Sequence, residues 1–194
     1  MAKKKAWLPL TEPEKILFWS SNIWALADGM LGPLFAVFAQ QLGGDILSIT
    51  WAWATFLVVT AVGTLAVGKM GDMFGGHHTL SVMGYFTTAF FTFGYLLVTT
   101  PFELFVVQAG LGLGLALSNP TWYALYDRYS GTGKHDGLVW GFATAGGQIA
   151  QACAIMIGGL IVTHFSFATL FTIMGTLSLC AAFWQAKILR YAAR

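Results

Sequence analysis

One carboxylate stands where it could do chemistry. Asp28 lies in the apolar stretch Trp24-Ala-Leu-Ala-Asp28-Gly29-Met-Leu-Gly32-Pro33, about 13 residues beyond Lys15. At 1.5 Å per residue that is roughly 20 Å along a helix, near the middle of a bilayer. A charge at that depth costs at least roughly 2.5 kcal/mol on insertion scales, and such residues usually face a cavity and do work. The sequence offers no clear basic partner for it. A carboxyl there can load and release a proton or hold a cation; the alternative is a structural Asp bonded to backbone or to a neighbouring helix. Gly29, Gly32 and Pro33 follow directly and predict a broken helix that frees backbone carbonyls. Further along, Gln108, Gly112, Leu115, Asn119 and Trp122 recur on one helical face, as do Thr144, Gln148 and Gln151. Both faces suit a cavity wall, and Trp24 joins them from the first helix. For the glutamines, lining a pathway and bonding between helices are equally open readings.

Other chemistries find little support. His77-His78 has no H-E-x-x-H around it, no metal cluster is evident, and there is no G-x-S-x-G elbow. No catalytic residue, metal, cofactor or nucleic-acid partner is therefore expected. A water channel built on two Asn-Pro half-helices would need a second copy of Asn119-Pro120. A non-transporting scaffold, or a subunit of a heteromeric complex, is the main rival. It has little need for a mid-membrane carboxylate.

The elements that must position these residues follow from composition. The chain has 194 residues, 57% hydrophobic and 9% charged, against roughly 25% charged in soluble domains. Its solvent must be lipid. The sequence predicts an all-α integral membrane protein, a single domain over 1–194, with spans at 16–40, 46–68, 79–99, 102–126, 137–162 and 166–188. The breaks are Gly43-Gly44-Asp45, Gly71 to His78, Thr99-Thr100-Pro101, Asp127 to Gly137, and the slight Thr163-His164. All ten Lys and Arg residues fall on one side of that topology. The positive-inside rule makes that side, with both termini, cytoplasmic. The first apolar stretch is too long for a signal peptide and is read as a retained helix. Trp19, Trp140 and Trp184, with Trp51 and Trp53 opposite, fit interfacial belts. The third and sixth spans carry no charge and read as lipid-facing; the first, fourth and fifth read as interior. Cys153 and Cys180 lie in apolar runs and are read as buried thiols, not a disulfide.

The loop Gly68-Lys-Met-Gly-Asp72-Met73-Phe-Gly75-Gly76-His77-His78 resembles the signature loop of the major facilitator superfamily, G-x-x-x-D-R-x-G-R-R/K. Gly68, Asp72 and Gly75 match in spacing and topological place; Met73 and Gly76 stand where the family has arginines. Gln108-Ala-Gly-Leu-Gly112-Leu-Gly114 resembles the fourth-helix R-x-x-x-G-x-G, with Gln108 at the arginine position. Gly158-Gly159 resembles the end of the antiporter motif without its proline. The first helix is similar to that of the family's exporters.

The resemblance covers nearly the whole chain and implies half of a facilitator fold, six transmembrane helices as a 3+3 inverted repeat. It also implies a cytoplasmic gate in which Gly68, Asp72 and Gly75 meet residues such as Asp127 and Arg128. The function expected is proton-coupled export of a small lipophilic or amphipathic molecule by alternating access. Asp28 would carry the proton; Trp24, Gln108, Asn119, Trp122, Gln148 and Gln151 would shape the cavity. A half bundle exposes that cavity, so the expected partners are membrane lipid, substrate and a second, parallel copy of the chain. The expected location is the inner (plasma) membrane of a prokaryote.

Overall fold

The computed structural model describes residues 10–74, 76–130 and 136–192. Among them there is no strand. The helices are α1 (Glu12–Gly29), α2 (Phe35–Gln41), α3 (Ile46–Phe74), α4 (His77–Gly94), α5 (Pro101–Ser130), α6 (Asp136–His164) and α7 (Phe167–Ala186). The expected break in the first span is present: α1 and α2 are joined through a 3-10 turn at Gly32–Leu34, so together they make one span of 30 residues. Six helical stretches are then long and apolar enough to cross a membrane.

Short polar signals set where the spans begin. Thr11 and Glu14 form a capping box at α1, and the Thr11 N–H donates to Glu14 Oε2 at 2.5 Å. Asp45 accepts the Ser48 N–H at 2.7 Å at the head of α3, and the bonds from Ser48 hold its carboxyl below the usual carboxylate range. At α5, Glu103 Oε2 accepts from Thr99 N (2.6 Å) and Thr100 N (3.0 Å). Ser166 caps α7, accepting the Thr169 N–H at 3.2 Å. The slight break expected at Thr163-His164 therefore lies at Phe165-Ser166, two residues on. The fourth span runs to Ser130, past the expected end at 126, with Pro120 inside the helix.

The pairing of spans carries the repeat. The first span packs mainly on the fifth and sixth, α6 and α7. The fourth, α5, packs mainly on the second and third, α3 and α4; the third also packs on the sixth. Exchanging first with fourth, second with fifth and third with sixth maps this set of contacts onto itself. Each unit has three spans, so consecutive units are inverted in the membrane, and the second and fifth spans fall at the two edges.

Lipid tails are as apolar as Leu, so close packing and polar bonds hold such helices together rather than hydrophobic burial. Glycine provides the close approach. A side chain at Gly84 would meet the Ser118 backbone N at 2.6 Å, pinning α4 to α5; one at Gly29 would meet Gln151 Cγ at 2.8 Å, pinning α1 to α6. A buried chain of bonds ties three helices. The Ser20 hydroxyl donates to Gln185 Oε1 at 2.6 Å, and Gln185 Nε2 donates to Ser81 Oγ at 2.9 Å. Two apolar clusters close the ends. At the α2 end, called outer, Tyr95 stacks on Phe171 at 4.9 Å, with Phe38 edge-on to Phe171 at 4.7 Å. At the other end, called inner, Leu17, Val82, Leu125, Tyr126 and Ile188 pack together.

Two expectations need correction. The third and sixth spans, read as lipid-facing, are among the most deeply packed; 44% of each is buried, against 6% for α3 and 11% for the span in α6. They show lipid only one face, with Met83, Phe90 and Phe183 outward. An uncharged, apolar sequence suits helix packing as well as lipid, so composition does not separate the two. For the same reason Cys153 and Cys180 are free and exposed, not buried.

Gly158 and Gly159 give a direct check on the packing. A Cβ at Gly158 would collide with the Met30 carbonyl, part of the backbone at the break; at Gly159 nothing lies within 4 Å. Gly158→Ala should cost about 1–3 kcal/mol and lower the melting temperature in detergent. Gly159→Ala should leave it unchanged, or raise it through the roughly 0.5–1 kcal/mol helix preference of Ala over Gly.

Candidate functional site: a two-lobed cavity around Asp28

Asp28 lies in the last turn of α1, just before the break. Its backbone carbonyl accepts the Leu31 N–H at 3.4 Å, a tightened bond at the point where Pro33 stops the regular ladder. The side chain is exposed to the cavity rather than packed away. Among the described residues its carboxyl makes no hydrogen bond and no ion pair; the ion pair they do contain is Lys15–Glu12 at the start of α1. Packed structural carboxylates look different: Glu14, 4% exposed, is fully engaged in its cap.

Two cavities meet at this carboxyl. Trp24, Asp28, Leu115 and Gln151 line both. The outer lobe, about 300 Å³, extends between Phe35, Trp53, Tyr95 and Gln108. The inner lobe, about 450 Å³, extends towards the inner end of the bundle between Asn119, Trp122, Tyr123 and Trp140. These volumes fall in the range of small-molecule sites. Among the described residues no Lys or Arg lines either lobe, so Asp28 dominates the local charge they set.

The inner lobe is walled by aromatic rings held by one another. Trp122 stacks on Tyr126 at 4.8 Å, and Trp140 packs on Tyr126 at 5.0 Å. The Trp122 Nε1–H donates to the Leu17 carbonyl at 3.2 Å, so the ring is fixed to α1. In the outer lobe the Tyr95 hydroxyl donates to Gln108 Oε1 at 3.2 Å. The Gln108 amide nitrogen has no partner among the described residues, although Gln108 is 2% exposed. Phe35 and Trp53, 5.4 Å apart, close this lobe from the side.

The structure thus brings Trp24, Asp28, Gln108, Asn119, Trp122, Gln148 and Gln151 to two adjoining lobes that share Asp28. Gly112 is on the expected helix face but turns to α3, where its carbonyl accepts from Thr60 at 3.3 Å. Several lining residues escaped the sequence. Tyr85, Thr88, Thr92, Tyr95 and Ser178 come from the third and sixth spans, which had been read as outer. Trp53 and Trp140 had been assigned to interfacial belts. The missed signal was the run of small and hydroxylated residues, Ser81 to Thr92, spaced along one face of α4.

The residues expected at a cytoplasmic gate lie apart from this cavity. Gly68 and Asp72 lie in the last turns of α3; Gly75 is outside the described residues. Asp127 and Arg128 are exposed at the end of α5. Nearby, His78 Nε2 and the Tyr129 hydroxyl are 2.7 Å apart, a bond from α4 to α5 that the sequence did not suggest.

Against this geometry, the sequence profile of the Major Facilitator Superfamily matches residues 17–192. Two relatives are similar over most of the chain. An uncharacterized MFS-type transporter of Bacillus subtilis, YvkA, is 28% identical over 142 residues, 73% of this chain and 32% of its own length. An uncharacterized MFS-type transporter of Methanocaldococcus jannaschii, MJ1560, is 26% identical over 160 residues, 81% of this chain and 40% of its own length. The matched stretches span well under half of each relative.

Thiol labelling reads this geometry directly. With Cys153 and Cys180 replaced by Ala, cysteines placed as Asp28→Cys and Gln151→Cys should react with a water-soluble methanethiosulfonate. Gln185→Cys, fully buried between helices, should react at least about tenfold more slowly. Equal protection of all three would remove the open cavity.

Proposed function

The chain belongs to the Major Facilitator Superfamily, and on that premise we propose that it is one half of a secondary active transporter. It pairs with a second copy and exports a small lipophilic or amphipathic molecule. The observation that carries this reading is the exposed, unpartnered Asp28 in a cavity open on one side. A carboxylate, Gln148 and Gln151 facing hydrocarbon are too costly to leave uncovered. A second half covers them.

The edges favour a partner on α3 and α6. Leu57, Val58, Val62 and Leu65 stand out from α3, and Ile149, Met156 and Leu160 from α6. Pairing two parallel copies about an axis along the membrane normal sets the α3 of one against the α6 of the other. That matches the relation of the two halves in full-length facilitators. The cavities then merge into one chamber with an Asp28 from each copy.

Alternating access follows from rocking the two copies about that interface. Each copy moves as a body because its ends are closed by separate apolar clusters. Asp28 takes a proton when the chamber faces one side and releases it when it faces the other. Substrate and proton use the same carboxyl, so loading one displaces the other. The lining suits an amphiphile. Aromatic walls receive its apolar body, and a cationic head meets Asp28 with the Trp24 and Trp122 rings beside it. The export direction, the proton as coupling ion and the cytoplasmic membrane of a prokaryote as location belong to this same reading.

Two measurements test it. Native mass spectrometry of protein released from mild detergent should give mainly the dimer; a monomer at all concentrations would leave the chain a half awaiting another polypeptide, or a scaffold. In proteoliposomes with ethidium as the probe, an imposed proton gradient should drive uptake by the native chain. Asp28→Asn should bring the rate down to that of empty liposomes while the melting temperature is kept. Uptake unchanged in that variant would take Asp28 out of the mechanism.

A further inference from the structure

We infer that the outer lobe holds a second polar recognition point, the Gln108 amide nitrogen, which donates to a neutral acceptor oxygen (carbonyl, ether or hydroxyl) on the transported amphiphile. The inference rests on the cavity reading above and names one feature of its ligand.

Gln108 is 2% exposed, on the wall of the outer lobe. Its oxygen is used, since Oε1 accepts the Tyr95 hydroxyl at 3.2 Å. Its nitrogen, with two N–H donors, has no partner among the described residues. Buried polar groups are nearly always satisfied, and an exception asks for an explanation. The Tyr95 hydroxyl occupies the amide oxygen, which leaves the nitrogen as the spare end, and Tyr95 is itself fixed. Its ring stacks on Phe171 at 4.9 Å and meets Phe38 edge-on at 6.0 Å. The spare group is therefore a donor in a set place.

A donor demands an acceptor, and the surroundings narrow its kind. Asp28 lines the same lobe and, among the described residues, no Lys or Arg does, so an anionic acceptor would meet like charge without compensation. A neutral oxygen meets no such repulsion. The rest of the wall is uncharged, with Phe35, Trp53, Phe56 and Met174 beside the hydroxyls of Thr88, Thr92 and Ser178. The ligand so described has its charged or basic end at Asp28 and an oxygen-bearing apolar end at Gln108. The site then discriminates between molecules of equal lipophilicity. An analogue lacking the oxygen leaves the amide unpaired, which is the costly case for a buried donor.

A matched pair of probes tests this. (4-Oxo-4-phenylbutyl)trimethylammonium carries the ketone oxygen; (4-phenylbutyl)trimethylammonium lacks it. By isothermal titration calorimetry on the purified dimer in detergent, the native protein should bind the ketone about tenfold more tightly. Gln108→Leu should bind both alike. That variant leaves the Tyr95 hydroxyl without its acceptor, so the double variant Gln108→Leu/Tyr95→Phe, which removes both polar ends, should repeat the result. Asp28→Asn should weaken both probes and preserve their ratio. Equal affinities in the native protein, or a preference that survives in both Gln108 variants, would overturn the inference while leaving the Asp28 site standing. Failure of both probes to bind the native protein would remove the site and the inference together.

Discussion

A carboxyl group carried into hydrocarbon loses its hydration, and some other arrangement must offset that loss. In this chain the arrangement begins one residue later. Gly29 lets α6 approach so closely that an added side chain there would strike Gln151. Gly32 and Pro33 then break the helix, and the Met30 carbonyl lies directly against Gly158. The break, the cavity and the seam between the first and fifth spans are thus one feature. Asp28 is placed where two lobes meet, reachable from both, and held by no partner among the described residues. A group meant only to bond two helices would be closed in, as Gln185 is between Ser20 and Ser81.

Packing follows the same solvent. Where the surroundings are apolar, burying Leu or Ile against a neighbour gains little, and stability comes from fit and from polar bonds. The helices of this chain accordingly meet through glycine and hydroxyl groups in their middles and through aromatic rings at their ends. Tyr95, Phe38 and Phe171 tie the outer ends; Trp122, Tyr126 and Trp140 tie the inner ones. Between these clusters the bundle can hold an open chamber without losing its shape.

The architecture was legible because membrane physics writes it coarsely. Long apolar runs, their breaks and the one-sided Lys and Arg follow from hydration alone. Thr11 with Glu14, and Thr99-Thr100 with Glu103, also mark helix starts, a signal the sequence reading did not use. Facing was less legible. A span such as α4 is apolar whichever way it turns, because lipid and helix interiors reward the same residues. Tyr95 and Thr92 were lost in that way, and Trp53 and Trp140 because a tryptophan near a membrane surface also suits a chamber wall. Asp28 escaped the ambiguity, since no apolar surrounding rewards a carboxylate.

The exchange symmetry of the contacts leaves the second and fifth spans at the edges of the bundle. The first and fourth spans each pack on two major neighbours, and the third and sixth also close on each other. The second and fifth are left with one apiece. Their outward faces are as apolar as any lipid-facing surface, so lipid can satisfy them. It cannot satisfy the polar wall they flank. In the proposed dimer the same step covers both, because the edges that meet are those bordering the chamber. Two Asp28 carboxyls then share one low-dielectric space, and groups so placed release their protons in two steps that belong to the pair. A homodimer would in that respect differ from a transporter made of two unlike halves, where one half can carry the carboxyl alone. Its coupling would be a property of the two-fold axis, set by how far apart that axis holds the two carboxyls.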